Sequence, residues 1–174
     1  MPKNHENKTD STNPISDQTN LYTLDVPAVI DGEIVPIEEV EDAIFSNKLI
    51  GDGYAIRPSG KRIYAPVDAR VEQIASTSHA VYLSTANHLK LLIHIGIDTI
   101  ELKGEGFKST AEKGMQIKKG DVLVEIDREF IIESGYNPVV SVVLLDQEEK
   151  DLKVAVYPTK EAKANQTTAM QVTF

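Results

Sequence analysis

The chain has 174 residues, 41% of them hydrophobic, which suits one domain with a proper core. It contains no cysteine, which excludes disulfides, zinc-thiolate sites and cysteine nucleophiles from within the chain. A formal net charge of −9 argues against a nucleic-acid backbone or an anionic membrane as partner, and for proteins with basic faces.

Residues 1–20 have no aromatic residue and almost nothing aliphatic, so they are predicted to form a disordered polar tail. They lack the apolar stripe of an amphipathic membrane anchor. No apolar run reaches the ~18–20 residues of a membrane-spanning helix and no apolar signal core precedes the domain, so a cytoplasmic location is expected. The globular part is predicted to cover residues 21–174. Two short units in it echo each other, Pro27-Ala28-Val29-Ile30-Asp31-Gly32-Glu33-Ile34-Val35 and Ala65-Pro66-Val67-Asp68-Ala69-Arg70-Val71, as a duplicated β unit would. Between them, residues 37–49 suggest a short helical turn, and Gly51-Asp52-Gly53 reads as a turn because no Walker lysine or further glycine pattern follows it.

Three of the four histidines fall in residues 76–107. Residues 80–84 and 89–95 read as two strands joined by the polar turn Thr85-Ala86-Asn87-His88, with His88 solvated. A hairpin centred on Ala86-Asn87 sets His79 opposite His94, and Thr77 on the same strand face as His79. His94 sits in the middle of Leu91-Leu92-Ile93-His94-Ile95-Gly96-Ile97, where a polar ring must be satisfied by a partner or kept for chemistry. Two facing rings can hold one anion or one metal ion.

After another turn at residues 103–107, residues 111–126 alternate around Gly114 and Gly120 as strands joined by a tight reversal. Asp127 is placed to cap one short helix over residues 128–134, ended by Gly135. Pro138 opens Val139-Val140-Ser141-Val142-Val143-Leu144-Leu145, apolar enough to be buried on both faces. Residues 152–157 and 169–174 are closing strands, with the polar loop 159–168 between them. Many short strands broken by Gly and Pro predict an all-β antiparallel sandwich or barrel with short helical turns.

The blocks Gly32-Glu33-Ile34-Val35, Phe45 followed by Gly51-Asp52-Gly53, Ala65-Pro66-Val67-Asp68, Thr77-Ser78-His79-Ala80 and His94-Ile95-Gly96-Ile97-Asp98-Thr99 occur in the order and at the spacing of a known family. On them the chain resembles the glucose-type enzyme IIA of the bacterial phosphoenolpyruvate-dependent sugar phosphotransferase system, from about Pro27 to Leu145 and more loosely beyond. The resemblance implies a β-sandwich of the duplicated hybrid motif kind. It also implies a carrier that takes a phosphoryl group from the histidine phosphocarrier protein and passes it to a cysteine on the IIB domain of a sugar permease, with a possible regulatory role for its phosphorylation state. His94 matches the phosphorylated histidine, His79 the histidine beside it, and Thr77 the hydroxyl that hydrogen-bonds the second histidine. Asp42 and Asp98 match acidic residues near the docking face, and Ile44, Phe45 and Leu92 apolar ones, although for Ile44 and Phe45 core packing is an equal alternative. Ala75 departs from members that carry an aromatic residue there.

The chemistry suits these residues. A neutral imidazole is nucleophilic near pH 7, and a second histidine can offer an N–H or a positive charge to the phosphoryl oxygens. No cofactor, magnesium ion or nucleotide is required when donor and acceptor are both proteins. Three rivals come from other classes. A LytM-like zinc metallopeptidase needs three protein ligands, and no His-x-His motif surrounds His94; His79 and His94 with Asp98 make at most a weak metal site. A biotinyl or lipoyl carrier is suggested by Lys118-Lys119-Gly120-Asp121-Val122-Leu123 but lacks the Met-Lys-Met-like tip. The third is a purely regulatory binding module.

Overall fold

The computed structural model describes residues 22–148 and 150–174. The expected tail, residues 1–20, lies outside the described residues. Strands β1 (Thr23–Pro27), β2 (Gly32–Pro36), β3 (Gly51–Pro58), β4 (Arg62–Tyr64), β5 (Ala69–Ile74), β6 (Ala80–Ser84) and β7 (Lys90–Ile95) make up the first half of the chain. The second half contributes β8 (Phe107–Ser109), β9 (Gln116–Ile117), β10 (Val122–Ile126), β11 (Val140–Leu145), β12 (Lys153–Val156), β13 (Thr159–Ala162) and β14 (Thr168–Thr173). Two α-helical segments, α1 (Ala43–Ser46) and α2 (Arg128–Glu133), and two 3-10 turns (Ile37–Glu39 and Thr99–Leu102) complete the fold.

All pairings are antiparallel. One eight-stranded sheet runs β13-β2-β3-β11-β7-β6-β5-β9, and two three-stranded sheets run β1-β14-β12 and β4-β10-β8. Alternation along each strand divides the large sheet into two faces. Ile34, Tyr54, Ile56, Val81, Leu83, Leu91, Ile93, Ile95, Val140 and Val142 join Val26, Met170 and Val172 of one small sheet and Ile63 and Val124 of the other in the main core. The opposite face carries a smaller cluster in which Val35, Ala55, Ala80, Leu92, Val139 and Val143 meet Ile37, Val40 and Phe45 of the short helical segments. This is the sandwich that the strand pattern predicts. The two echoing units open β2 and β5, which stand second from opposite edges of the large sheet.

Several local expectations hold. Asp127 caps α2 through Phe130 N–H (3.0 Å), and Gly135 follows at φ 91°. Strand β11 is buried along nearly its whole length between β3 and β7. The helical turn expected over 37–49 is two pieces, a 3-10 turn and α1.

Other expectations are corrected. Gly51-Asp52-Gly53 is not a turn; it begins β3. A Cβ at Gly53 would lie 1.9 Å from the Val142 carbonyl oxygen, so glycine is there for close backbone approach rather than for reversal. Residues 111–126 do not pair with themselves. Strand β9 pairs with β5, whereas β10 lies between β4 and β8, so the reversal at Gly120 connects two sheets. The polar stretch 159–168 contains β13, a mostly exposed edge strand on β2, where polar residues are the rule.

The hairpin register also differs by one. Ala80, not His79, faces His94. The turn is a three-residue loop, Ala86-Asn87-His88, closed by Thr85 N–H to the Leu89 carbonyl (2.9 Å) and by Leu89 N–H to Thr85 Oγ1 (3.1 Å). His88 takes the left-handed conformation at φ 62° that such a loop demands of its last residue, and it is solvated as expected.

Candidate functional site

Strand β7 lies between β11 and β6, so the backbone under His94 is held from both sides. His94 falls between Ile93 and Ile95, whose side chains enter the main core, and its ring therefore emerges on the opposite face beside Leu92. There Phe45 of α1 packs on it, ring centres 4.9 Å apart and planes at 49°. Asp42, whose side chain accepts from Ile44 N–H (3.0 Å), caps α1 and so fixes where Phe45 is delivered.

The two histidines come together in spite of the shifted register. His79 precedes β6 and stands outside its regular pleat. The tight turn Ala75–Ser78, with Ser78 N–H donating to the Ala75 carbonyl (2.8 Å) and Ser78 at φ 59°, swings the chain before His79. The His79 carbonyl accepts from Ile95 N–H (2.7 Å), while its ring meets His94 edge to face with centres 5.2 Å apart. Thr77 lies in that turn and not on a strand, yet its hydroxyl is 2.5 Å from His79 Nδ1. This short bond fixes the His79 ring and turns Nε2 away from Thr77.

Beyond His94 the chain leaves the sheet through Gly96 at φ 80°, where a Cβ would lie 2.3 Å from Thr99 Cγ2. Gly96 N–H donates to the Val139 carbonyl (2.7 Å), Ile97 N–H to the Asn137 carbonyl (3.0 Å), and the Thr99 hydroxyl to the Ile95 carbonyl. These bonds clamp the end of the strand next to His94.

Burial holds both imidazoles below the ordinary histidine range. For His94, burial is the largest cause and the neighbouring His79 adds to it; the Gly96 backbone, Asp42 and Asp98 act in the opposite sense. Both rings are thus neutral near pH 7, the state in which an imidazole nitrogen has a free lone pair. His94 Nδ1 is buried, which leaves Nε2 as the nitrogen that can face a reactant.

The sequence-derived docking residues separate into two groups. Phe45 and Leu92 are only 5% and 3% exposed, so they support the histidine rather than offer surface. Ile44 is 50% exposed on α1, and Asp98 is exposed in the left-handed conformation (φ 56°) that begins the turn after the strand. Asp42 is half-buried at its cap. Two apolar residues that the sequence reading passed over, Leu49 after α1 (64% exposed) and Ile100 in the turn after Asp98 (54%), join Ile44 as exposed aliphatics on the segments flanking the histidines. The signal for Ile100 was weak, because one apolar residue in a polar turn looks like any other.

Among the described residues no three His, Cys, Asp or Glu side chains gather where they could hold a metal ion. The zinc-peptidase reading therefore has two histidines and no third ligand. A cleft of about 630 Å³ lined by Arg70, Thr85, His88 and Lys118 lies at the hairpin tip, at the far end of β7 from His94.

No helix among the described residues is long and apolar enough to cross a membrane. The sequence model of the family described as phosphoenolpyruvate-dependent sugar phosphotransferase system, EIIA 1, matches residues 24–150. The chain is 39% identical over 134 residues to the PTS system glucose-specific EIIA component of Haemophilus influenzae, covering 77% of this chain and 81% of that protein. It is 42% identical over 129 residues to the component of the same name from Buchnera aphidicola, covering 74% and 80% respectively. The solved structure of glucose permease IIA from Mycoplasma capricolum superposes with a TM-score of 0.77 at 31% identity, over 86% of this chain and 96% of that one. The paired histidines thus stand in a sandwich shared with these proteins, and the chain belongs to the EIIA 1 family of the phosphoenolpyruvate-dependent sugar phosphotransferase system, as a phosphotransferase component of it.

Proposed function

We propose that this chain is a cytoplasmic phosphoryl carrier that accepts the group on His94 from the histidine phosphocarrier protein and passes it to the cysteine of a IIB domain of a glucose-class permease. The reading rests on one observation above all: a neutral His94 ring set edge to face against His79, ring centres 5.2 Å apart, with exposed aliphatic residues on the neighbouring segments.

In the loading step the Nε2 lone pair of His94 attacks phosphorus in line, the bond from phosphorus to the donor's histidine nitrogen breaks, and that nitrogen keeps the electron pair. His79, oriented through Thr77, presents its remaining nitrogen to the phosphoryl oxygens as charge builds on them. In the unloading step a cysteine thiolate attacks, a phosphorus–sulfur bond forms, and His94 leaves as a neutral imidazole. Ile44, Leu49 and Ile100 supply apolar contact, and Asp42 and Asp98 acidic groups, to partners with basic faces.

The test is incubation with phosphoenolpyruvate, enzyme I and the histidine phosphocarrier protein, followed by intact mass. One added phosphoryl group, lost in acid and stable in base as a phosphoramidate is, and absent from His94→Gln, is the expected result. An unmodified mass, or label retained by His94→Gln, overturns the assignment.

A further inference from the structure

Helix α1 has only four residues, too few to hold itself, so its place beside His94 has to come from its two ends. The first end is the Asp42 cap. The second is a complete reversal. Lys48 N–H donates to the Phe45 carbonyl (3.0 Å) and Leu49 N–H to the Ile44 carbonyl (3.1 Å), the two bonds of a Schellman motif. Such a reversal needs a left-handed residue, and the usual occupant is glycine. Here it is Lys48, at φ 53°.

The side chain supplies the reason. The Lys48 ammonium lies 2.8 Å from Glu38 Oε1 in the 3-10 turn Ile37–Glu39 and 3.4 Å from Asp52 Oδ1 in β3. That Asp52 oxygen is itself fixed, since it also accepts from Gly53 N–H (2.8 Å). The hydrogen bond between Lys48 and Glu38 holds the carboxyl below its ordinary value and the ammonium above its own. One exposed ion pair contributes little, but an ammonium shared by two carboxylates joins three elements at one point. Between the two tied ends lies Phe45, which packs on His94 with ring centres 4.9 Å apart. The reversal also sets the spacing of two exposed aliphatic residues, Ile44 and Leu49.

We propose that Lys48 is a positioning residue for phosphoryl transfer: its ammonium ties the end of α1 to the 3-10 turn and to β3, and so keeps Phe45 on His94 and Ile44 beside Leu49. This role presupposes that His94 is the phosphorylated residue. Glycine would make the same turn with less strain, so the lysine is explained by what its charge holds and not by the turn. Without the tie α1 opens more often, water reaches the His94 ring, and the donor meets a face whose apolar part has come apart.

The experiment compares Lys48→Met, Lys48→Gly and Lys48→Arg with the wild type in three measurements. These are amide exchange of Ser46 and Asn47, whose N–H groups bond the Asp42 and Ala43 carbonyls, the His94 pKa by nuclear magnetic titration, and single-turnover loading from the phosphorylated phosphocarrier protein. Met keeps the length of the side chain without its charge, Gly relieves the backbone, and Arg keeps the charge. In Lys48→Met, exchange is expected to quicken, the His94 pKa to move up toward the ordinary range, and loading to slow by about twofold to tenfold, the scale of one or two exposed ion pairs. Lys48→Gly should load as slowly as Lys48→Met, and Lys48→Arg should recover most of the loss. Unchanged exchange in Lys48→Met, or wild-type loading in Lys48→Gly, overturns the proposal. Slower loading with unchanged exchange and an unchanged His94 pKa also overturns it, since Lys48 would then be a contact of the partner. A wild type that takes no phosphoryl group on His94 overturns the functional reading instead, and the exchange measurement still decides the tie.

Discussion

Replacing His79 by Gln removes a ring that can become a cation and leaves an amide that can donate only a neutral hydrogen bond. In the unloaded protein burial keeps His79 neutral near pH 7. Loading changes its surroundings, because a phosphoryl group adds between one and two negative charges. The ring centres are 5.2 Å apart. At about 5 Å and an effective dielectric constant of about 20, one pair of opposite charges is worth about 3 kcal/mol. Lost entirely from the transition state, that converts to roughly two hundredfold in rate. The amide still offers a neutral hydrogen bond, with about half the strength of a charge-assisted one. Donation by His79→Gln is therefore expected to slow by about tenfold to two hundredfold, while acceptance persists because the lone pair of His94 is untouched. The assay is single-turnover transfer from labelled protein to an isolated IIB domain, read beside the loading rate. Donation within twofold of the wild-type rate would refute the electrostatic role and leave His79 a packing neighbour.

Phe45→Ala should destabilise the domain by about 3–5 kcal/mol in denaturant unfolding, since the ring is 5% exposed and packs on His94. In the folded fraction, nuclear magnetic titration should show the His94 pKa moving back up toward the ordinary range as water reaches it. Stability should be at its full value above the unfolded histidine pKa of 6.5. Below it the unfolded chain binds protons that the buried rings refuse, so stability should fall with pH until the folded values are passed; melting temperatures from pH 8 to 5 would show it, with a shallower fall in His79→Gln. Deletion of residues 1–20 should leave the melting temperature and loading unchanged, because the described fold closes at Tyr22, stacked on Phe174 at 5.8 Å; a drop of more than a few degrees would contradict this.

The histidine pair was legible from sequence because a polar ring inside an aliphatic strand is an anomaly that burial energetics cannot ignore. The hairpin was legible in kind but not in register. Ala-Asn and Asn-His differ little as turn centres, and the choice rests on His88 accepting a left-handed backbone and on Thr85 closing the loop with its side chain. His79 survived that error only because Ser78 bends the chain outside the pleat, a feature that no alternation pattern encodes. Gly51 and Gly53 misled for a related reason. A glycine needed for close approach to the next strand has the same letter as a glycine needed for a turn, and only the neighbour's carbonyl distinguishes them. The long-range partners of β9, β10 and β13 were invisible because short strands of mixed character match many others equally well. Phe45 illustrates the limit for a site: its place against His94 depends on where Asp42 starts a four-residue helix, not on its own character.

The ladder bonds on both sides of β7 hold the strand beneath His94 in place. A protein that hid its reactive ring under a lid would wait for that lid twice in each cycle, once to load and once to unload. If both proposed exchanges use the one face on which the His94 ring emerges, a donor seated there excludes the acceptor. Traffic through the carrier is then strictly by turns, paced by how soon one guest leaves and the next arrives. With a formal charge of −9 on the chain, salt becomes the natural throttle on that queue.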